Sequence, residues 1–190
     1  MEKMDLKKII QNYTPFNEQE EKDKESFLQF LNNFNEEDWS VRENLIGHLT
    51  ASVWLTNKDR SKIVMAYHKL YDCWAWLGGH ADGDLNLLNV AIKEAKEESG
   101  LSSVKVLKNA PIDLSVMSVF SHIKHGKFVP DHLHFNVTYL LEANESDELF
   151  HKPDENSAVK WMTNKEVLET PEKNTVRDIY KRIVEKVERK

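Results

Sequence analysis

The sequence predicts a mixed α/β protein, and three features lead to this prediction. Several runs are rich in the β-branched and aromatic residues that strands favour. An amphipathic helical segment lies in the middle of the chain, between strand-like runs. A second amphipathic segment follows the last of these runs. Strands and helices that alternate in this way are typical of domains in which helices cover a sheet.

Length, charge and cysteine content restrict the class of protein. The chain has 190 residues, enough for one domain with appendages or at most two small domains. The formal net charge of −6 argues against a general nucleic-acid binder, which usually carries a basic patch, although a metal ion could still recruit a phosphorylated ligand. The single cysteine, Cys73, and the lack of a signal-peptide pattern favour a cytoplasmic location. No apolar run reaches the ~20 residues of a membrane span, so we expect no membrane insertion.

Residues 2–34 are predicted to be helical, in two segments that Thr14-Pro15 separates. We assign residues 1–43 to an N-terminal helical extension and residues 44–190 to the main domain. The extension is expected to pack as a cap on that domain. The alternatives are a dimerisation element or a cover over the substrate. A homodimer, formed through these helices or through the last one, is the oligomeric state we expect.

From His48 onwards the chain becomes strand-like. Asn57-Lys58-Asp59, between the first two runs, suits a hairpin turn. A short helix is predicted after Asn164 and an amphipathic helix from about residue 174. The predicted strands, besides the one that enters the glycine-rich loop described next, are HLTASVWLT, KIVMAYHKL, SVKVLK, LSVMSVF, HLHFNVTYLLEA and AVKWMT.

The segment GGHADGDLNLLNVAIKEAKEESG combines a loop rich in Gly and Asp with an amphipathic helix. Asn86 can cap the N-terminus of this helix and Gly100 can end it. At ~100° per residue, three carboxylates share a wedge of about 100° on one side of the helix. They belong to Glu94, Glu97 and Glu98.

These glutamates border the face of the helix that should pack against the protein. Glu98 falls inside the apolar arc, between the directions of Leu87 and Ala91. Carboxylates at this spacing repel one another, and partial burial removes their hydration. A divalent cation offsets both effects, and Mg²⁺ prefers oxygen ligands. Metal binding is therefore favoured over an acidic helix end held by Lys93 and Lys96, because acids near a helix C-terminus are unfavourable.

The same residues resemble the signature of the Nudix hydrolase family. That signature runs Gly, five residues, Glu, seven residues, Arg-Glu, an apolar residue, any residue, Glu-Glu, any residue, Gly and an apolar residue. In this chain Gly79 stands at the first position, KEAKEE at residues 93–98 forms the centre, and Gly100-Leu101 forms the end. The spacing is kept throughout, which makes the resemblance specific.

Two positions depart from the signature. Leu85 stands in place of the first Glu, and Lys93 stands in place of the Arg. In the family these two positions mainly support the loop and helix, so the departures bear on loop rigidity more than on metal binding. Asp82 and Asp84 are candidates for the missing acidic group, as partners in the outer shell of the metal. The alternative is that both are simple turn residues.

The resemblance extends from about Asn44 to the C-terminus. WAWLGGHADGD and HLHFNVTYLLEA resemble a loop and a later strand of one Nudix subgroup, and Trp161 resembles the tryptophan that precedes the family's closing helix. The resemblance implies an α/β/α sandwich around a mixed β-sheet. It also implies hydrolysis of the diphosphate linkage in a nucleoside diphosphate derivative or a similar small phosphorylated compound, with Mg²⁺ or Mn²⁺ as cofactor.

The resemblance assigns Glu94, Glu97 and Glu98 as metal ligands. The group that takes the proton from the attacking water is Glu97, Glu98 or an acid from a later loop. The candidate acids in that later loop are Glu145, Glu148 and Glu155.

Gly78 and Gly79 let the backbone approach the helix and the ligand closely.

Histidines supply the remaining candidates for substrate binding. His80 follows the two glycines and either contacts substrate or is structural. His132 and His134 point to the same side of a predicted strand. The subgroup resemblance favours a role for this pair facing the substrate; a structural pair and a zinc site are the alternatives, and no Cys/His framework supports zinc. His122 and His125 lie nearby in the sequence.

Two other functions stay open. Leu85 and Lys93 are compatible with a Nudix-fold binding or regulatory module that has lost catalysis, although a pure binder has no need of all three glutamates. A diphosphate isomerase on the same fold requires a reactive Cys beside a His-rich metal site, for which Cys73 and the scattered histidines make a weak case.

Overall fold

The computed structural model describes residues 5–124, 126–170 and 174–189, which form five α-helices and nine strands. The helices are α1 (Leu6–Asn12), α2 (Glu18–Asn33), α3 (Leu87–Ser99), α4 (Asn164–Glu169) and α5 (Asn174–Glu188). The strands are β1 (Gly47–Thr56), β2 (Lys62–His68), β3 (Cys73–His80), β4 (Lys105–Val106), β5 (Asp113–Val119), β6 (His122–Lys124), β7 (Lys127–Val129), β8 (His132–Glu142) and β9 (Asn156–Thr163). None of these helices is long and apolar enough to span a membrane.

A mixed sheet of seven strands forms the centre of the fold. Its order is β4-β8-β1-β3-β2-β9, and β5 also pairs with β8. β1 and β8 run parallel over ten residue pairs, from Gly47↔Leu133 to Thr56↔Glu142, whereas the other pairs are antiparallel. The predicted mixed sheet is confirmed, and the parallel pair lies at its middle.

Helices cover both faces of the sheet, which confirms the predicted α/β/α sandwich. Residues alternate between the two faces along β1. Leu49 and Ala51 belong to one apolar core together with residues of α1, α2 and α3. Trp54 belongs to a second core, which it shares with Tyr180 and Ile183 of α5.

The N-terminal helices pack directly on the sheet. Phe27 and Phe30 of α2 both contact Phe135 of β8, with ring centroids 5.3 Å and 4.1 Å away. All three side chains are buried. Burial of aromatic rings of this size contributes strongly to packing, so α2 is anchored on the same core as the α3 helix.

A buried ionic network joins the N-terminal helices to the C-terminal helix across β5. The Arg182 guanidinium donates to both carboxylate oxygens of Asp113, at 2.7 Å and 2.9 Å. The Lys186 ammonium lies 2.9 Å from Asp113 and 2.5 Å from Glu20 of α2. Burial alone would raise the pKa of Asp113, but the bond from Arg182 and the nearby positive charge hold it below its usual value.

One element was not predicted from the sequence. β6 and β7 form a separate two-stranded hairpin around residue 126. Its apolar residues Ile123 and Phe128 are exposed, at 62% and 70%. Neither side of this short hairpin is buried in the core. Its sequence therefore lacks the alternation of apolar and polar residues that identifies a strand.

Candidate active site

The helix that carries the glutamates is bounded by local capping interactions. The Asn86 side chain accepts a hydrogen bond from the Asn89 N–H at 3.2 Å. Gly100 ends α3 in the left-handed region, with φ of 72°, and its N–H donates to the Lys96 carbonyl at 2.9 Å. Both helix ends agree with the sequence prediction.

α3 places its three glutamates at different depths. Glu98 is only 4% exposed, Glu94 is half-buried and Glu97 is exposed. Val90 joins Leu87 in the core, which widens the buried face beyond the predicted arc. As a result, Glu98 lies at the centre of the buried face rather than near its edge.

Two strands hold the Glu98 carboxylate. The main-chain N–H of Gly78 in β3 donates to one oxygen at 2.7 Å, and the Asn156 side chain in β9 donates to the other at 2.8 Å. Burial outweighs these hydrogen bonds and raises the pKa of Glu98 to about 7. A carboxyl group whose pKa lies near neutral pH can readily exchange a proton or bind a cation.

Glu94 occupies the space that the missing side chain of Gly79 leaves free. A Cβ atom on Gly79 would lie 2.7 Å from the Glu94 carboxyl carbon. Burial, followed by the negative charge of Glu97, raises the pKa of Glu94. The glycine pair and two of the glutamates are therefore in direct contact.

A lysine and a further acid complete this acidic cluster. The Lys152 ammonium lies 3.6 Å from Glu97 and 3.2 Å from Glu155. Burial opposes the charge on Lys152, but the hydrogen bond to Glu155 and the surrounding carboxylates raise its pKa. The loop before β9 thus supplies a cation and an acid to the cluster, together with the neighbouring Asn156.

The three candidate loop acids lie in different surroundings. Only Glu155 is joined to the glutamates of α3 by a described contact, through Lys152. Glu145 instead pairs with Lys62 and accepts a hydrogen bond from Asn57, at the connection between β1 and β2. Glu148 is exposed in the loop between β8 and β9.

The residues predicted to support the motif make local contacts. Asp84 accepts a hydrogen bond from the Asn86 N–H at 2.8 Å, which shapes the turn into α3. Asp82 binds the Arg42 guanidinium through both oxygens, at 2.7 Å and 2.6 Å. Leu85 is partly buried against the core. Lys93 is exposed, and its ammonium lies 3.8 Å from Glu97.

Four histidines meet on the other face of the sheet. His132 and His134 share that face, as predicted, and they are joined there by His80 of β3 and by His48 of β1. The His48 ring lies at the centre, with centroids 5.1 Å from His80, 5.0 Å from His132 and 5.0 Å from His134. The sequence analysis missed His48, because only the pairing of β1 with β8 brings it beside the others.

The remaining candidates lie elsewhere. The Nδ1 atom of His122, in the small β6–β7 hairpin, is 2.9 Å from the Phe120 carbonyl oxygen, and His125 is outside the described residues. Cys73 and His80 occupy opposite ends of β3, about 23 Å apart along an extended strand. Cys73 instead lies beside His68 of β2, so the thiol is separated from the cluster of four histidines.

The sequence analysis also missed Lys152, Asn156 and Arg42 as neighbours of the site. Lys152 lies in the loop between β8 and β9, which the Phe150 N–H joins to the Ser99 carbonyl of α3, and Asn156 begins β9, which pairs with β2. A lysine and an asparagine in a polar loop carry no distinguishing signal in a single sequence.

Comparisons with known proteins agree with this geometry. A family profile described as the NUDIX domain matches residues 47–183, from the first residue of β1 into α5. Comparison with curated protein sequences finds no match.

Three solved structures are similar over most of the chain. The C. elegans Ap4A hydrolase, in a binary complex, has 13% identity and a TM-score of 0.55 over 75% of this chain and 98% of its own. The E. coli dihydroneopterin triphosphate pyrophosphohydrolase has 15% identity and a TM-score of 0.55 over 77% and 97%. The Nudix hydrolase RenU from M. smegmatis has 15% identity and a TM-score of 0.53 over 75% and 88%. At these identities the likeness concerns the fold.

Proposed function

The chain belongs to the Nudix family of hydrolases that act on phosphoric anhydrides, and from this premise we propose its reaction. The reaction is hydrolysis of a diphosphate linkage in a nucleoside diphosphate derivative or a similar small phosphorylated compound. The observation that carries this proposal is that Glu94 and Glu98 contact the loop of Gly78 and Gly79, with the charge of Glu97 acting on Glu94. Leu85 and Lys93 take no part in these contacts: Leu85 packs against the core, and Lys93 lies 3.8 Å from Glu97 at the surface.

The acidic cluster fits the divalent ion that the family implies. We propose that Glu94, Glu97 and Glu98 hold Mg²⁺ or Mn²⁺, whose preferred ligands are carboxylate oxygens. Burial raises the pKa of both Glu94 and Glu98, so their charged forms are unfavourable until a cation stabilises them. When bound, the ion neutralises phosphate charge, orients the attacking water and stabilises the leaving oxygen.

The chain's own groups supply positioning and proton transfer. Gly78 and Asn156 each donate to Glu98 and so fix its carboxylate. Glu98 suits the role of proton acceptor because these two donors fix its carboxylate beside the glycine loop. Glu97 is the alternative on α3, and Glu155 is the loop acid whose position suits the same role. Lys152 balances the charge of Glu97 and Glu155.

The substrate side of the site rests on predictions from the sequence. We propose that the Gly78-Gly79 backbone lies beside the diphosphate. Because His80, His132 and His134 lie on the opposite face of the sheet, we propose that they contact the part of the substrate that extends past the end of β3. Burial lowers the pKa of His80 to about 3 and of His134 to about 2, so both act as neutral hydrogen-bonding groups at pH 7 rather than as cations. A homodimer and a cytoplasmic location stay predictions.

A coupled assay tests the hydrolase. The chain is incubated with nucleotide sugars, dinucleoside polyphosphates and other diphosphate compounds, in Mg²⁺, Mn²⁺ or EDTA, and added phosphatase releases phosphate from the products. The compounds include Ap4A and dihydroneopterin triphosphate, for which two of the similar structures are named. We expect turnover that requires the metal ion and that falls by about 100-fold or more in Glu98→Gln and in Glu97→Gln.

Glu169→Gln is the matched control, because Glu169 is an exposed glutamate at the end of α4. This variant should keep the rate of the wild-type chain. Near-native rates in both Glu97→Gln and Glu98→Gln would refute the assignment. No turnover with any compound, together with thermal stabilisation by some of them, would instead favour the binding module.

A further inference from the structure

Three of the clustered histidines lie on adjacent strands at positions that bring their rings together. His48 of β1 and His134 of β8 are direct register partners in the parallel pair. His80 of β3 pairs with Thr50, two residues along β1 from His48 and therefore on the same face. One nitrogen from each of the three rings lies within 4.8 Å of the others. This spacing allows all three to bind a single ion.

Two of these rings carry buried nitrogens that make no regular hydrogen bond among the described residues. His48 is 4% exposed, and among the described residues neither of its buried ring nitrogens has a hydrogen-bond partner of good geometry, although the Asn44 backbone lies close enough to act on its pKa. The Nε2 atom of His134 is buried and unpaired in the same way. Buried polar atoms in folded proteins are normally satisfied. Unpaired nitrogens on two adjacent buried rings, His48 and His134, therefore indicate a missing ligand.

The donor atoms of the cluster fit a metal ion, since each neutral imidazole ring offers one lone pair. Burial is the main cause that lowers the pKa of His48 to about 4, of His80 to about 3 and of His134 to about 2. All three rings are neutral at pH 7, and a neutral imidazole offers a lone pair to a metal ion. An anion such as phosphate would instead be favoured by imidazolium groups.

We propose that His48, His80 and His134 bind a divalent transition-metal ion of the zinc class. Imidazole nitrogens suit Zn²⁺, Co²⁺, Ni²⁺ and Cu²⁺, whereas Mg²⁺ prefers oxygen. Three histidines leave a further coordination position open, as in zinc sites that bind water or substrate. The nearby His132 offers a fourth nitrogen: its Nδ1 lies 2.8 Å from the Pro130 carbonyl, which fixes the lone pair on Nε2.

This site is separate from the glutamates, although the same strand borders both. Gly79 faces α3, where a Cβ atom would meet Glu94. His80, the next residue, points to the opposite face of the sheet. The two sites also differ in donor atoms, since one offers carboxylate oxygens and the other imidazole nitrogens. Excess Mg²⁺ therefore occupies the first without competing for the second.

The test is metal binding by the full-length chain. The protein is stripped with a chelator and supplied with excess Mg²⁺, and Zn²⁺ is then titrated in competition with a chromophoric chelator. Co²⁺ in place of Zn²⁺ reports geometry through its visible absorption. We expect one tightly bound Zn²⁺ and the intense bands of a Co²⁺ site with four or five ligands. His48→Gln and His134→Gln should each weaken Zn²⁺ binding by about 100-fold.

Two variants serve as controls. His122→Gln removes a histidine on the separate β6–β7 hairpin, and Glu97→Gln removes a carboxylate of the other site; both should bind Zn²⁺ as the wild-type chain does. If His48→Gln does not fold, judged by circular dichroism, His80→Gln at the half-buried ligand replaces it. The proposal is overturned if wild type binds no Zn²⁺ in excess Mg²⁺, if folded His48→Gln or His80→Gln retains full affinity, or if Glu97→Gln is the variant that loses it.

Discussion

The backbone at Gly79 lies so close to the Glu94 carboxylate that no side chain fits between them. A Cβ atom on Gly79 would lie 2.7 Å from the carboxyl carbon and 2.8 Å from one oxygen. Gly79→Ala must therefore move the Glu94 side chain, but it does not remove the negative charge of that side chain. If Glu94 binds the metal ion, we expect the Mg²⁺ concentration for half-maximal hydrolysis to rise about tenfold. The measurement is the Mg²⁺ dependence of phosphate release.

Gly47→Ala is the control for a general packing defect. A Cβ atom on Gly47 would lie 2.6 Å from the Leu133 carbonyl oxygen, away from the glutamates. This variant should lower the melting temperature but keep the Mg²⁺ requirement of the wild-type chain. An unchanged Mg²⁺ requirement in Gly79→Ala would mean that the position of Glu94 does not matter for metal binding.

Asn156 positions Glu98 and is expected to act through it. Its side chain donates to the Glu98 carboxylate at 2.8 Å, in a fully buried environment. Asn156→Ala should lower kcat by about tenfold and weaken Mg²⁺ activation, because the carboxylate loses one of its two donors. Steady-state kinetics at several Mg²⁺ concentrations measure both effects. Asn144→Ala, the same change in the exposed loop after β8, should leave both values unaltered; equal losses in the two variants would contradict a positioning role.

Arg182 is expected to be essential for stability. Its guanidinium makes two bonds to the buried Asp113 carboxylate. Arg182→Met leaves that charge without its main partner, so the free energy of unfolding should fall by about 3–5 kcal/mol. Urea denaturation measures this change. Lys181→Met, at the exposed neighbouring position of α5, should have little effect, and adding Asp113→Asn to Arg182→Met should restore part of the loss. A loss as large from the lysine variant would argue against the network.

Asp23 makes stability depend on pH. Burial is the main cause that raises its pKa from 3.8 to about 6. A carboxyl group whose pKa is higher in the folded state stabilises the fold below its unfolded pKa, and this contribution is lost as pH rises through the folded value. Asp23→Asn removes the ionisation, so the variant should gain stability relative to wild type at high pH, by on the order of 3 kcal/mol at most.

The measurement is the melting temperature of both chains at about pH 5 and at about pH 8. The difference between Asp23→Asn and wild type should be more positive at the higher pH. Asp178→Asn, at an exposed position of α5, should show no such trend. If the melting temperatures of Asp23→Asn and wild type differ by the same amount at both pH values, the pKa of Asp23 is not raised by burial.

Local sequence alone determined the elements whose signals lie within a few residues. The boundaries of α3 follow from Asn86 and Gly100, and the break at Thr14-Pro15 separates α1 from α2. The depth of Glu98 was predicted from helical spacing, because that spacing is a property of the helix itself. The run SVKVLK is different: only Lys105–Val106 became a strand, and Leu107 adds a single backbone hydrogen bond to Leu140 of β8.

The tertiary structure decided which distant residues meet. Asn156 reaches Glu98 because β9 pairs with β2, and Lys152 reaches Glu97 because the preceding loop is bonded to α3, from the Phe150 N–H to the Ser99 carbonyl. His48 reaches His134 because β1 runs parallel to β8. Capping and helical spacing are short-range interactions that a sequence displays directly. Strand pairing across 86 positions, from His48 to His134, depends on the packing of the whole sheet, which no local pattern records.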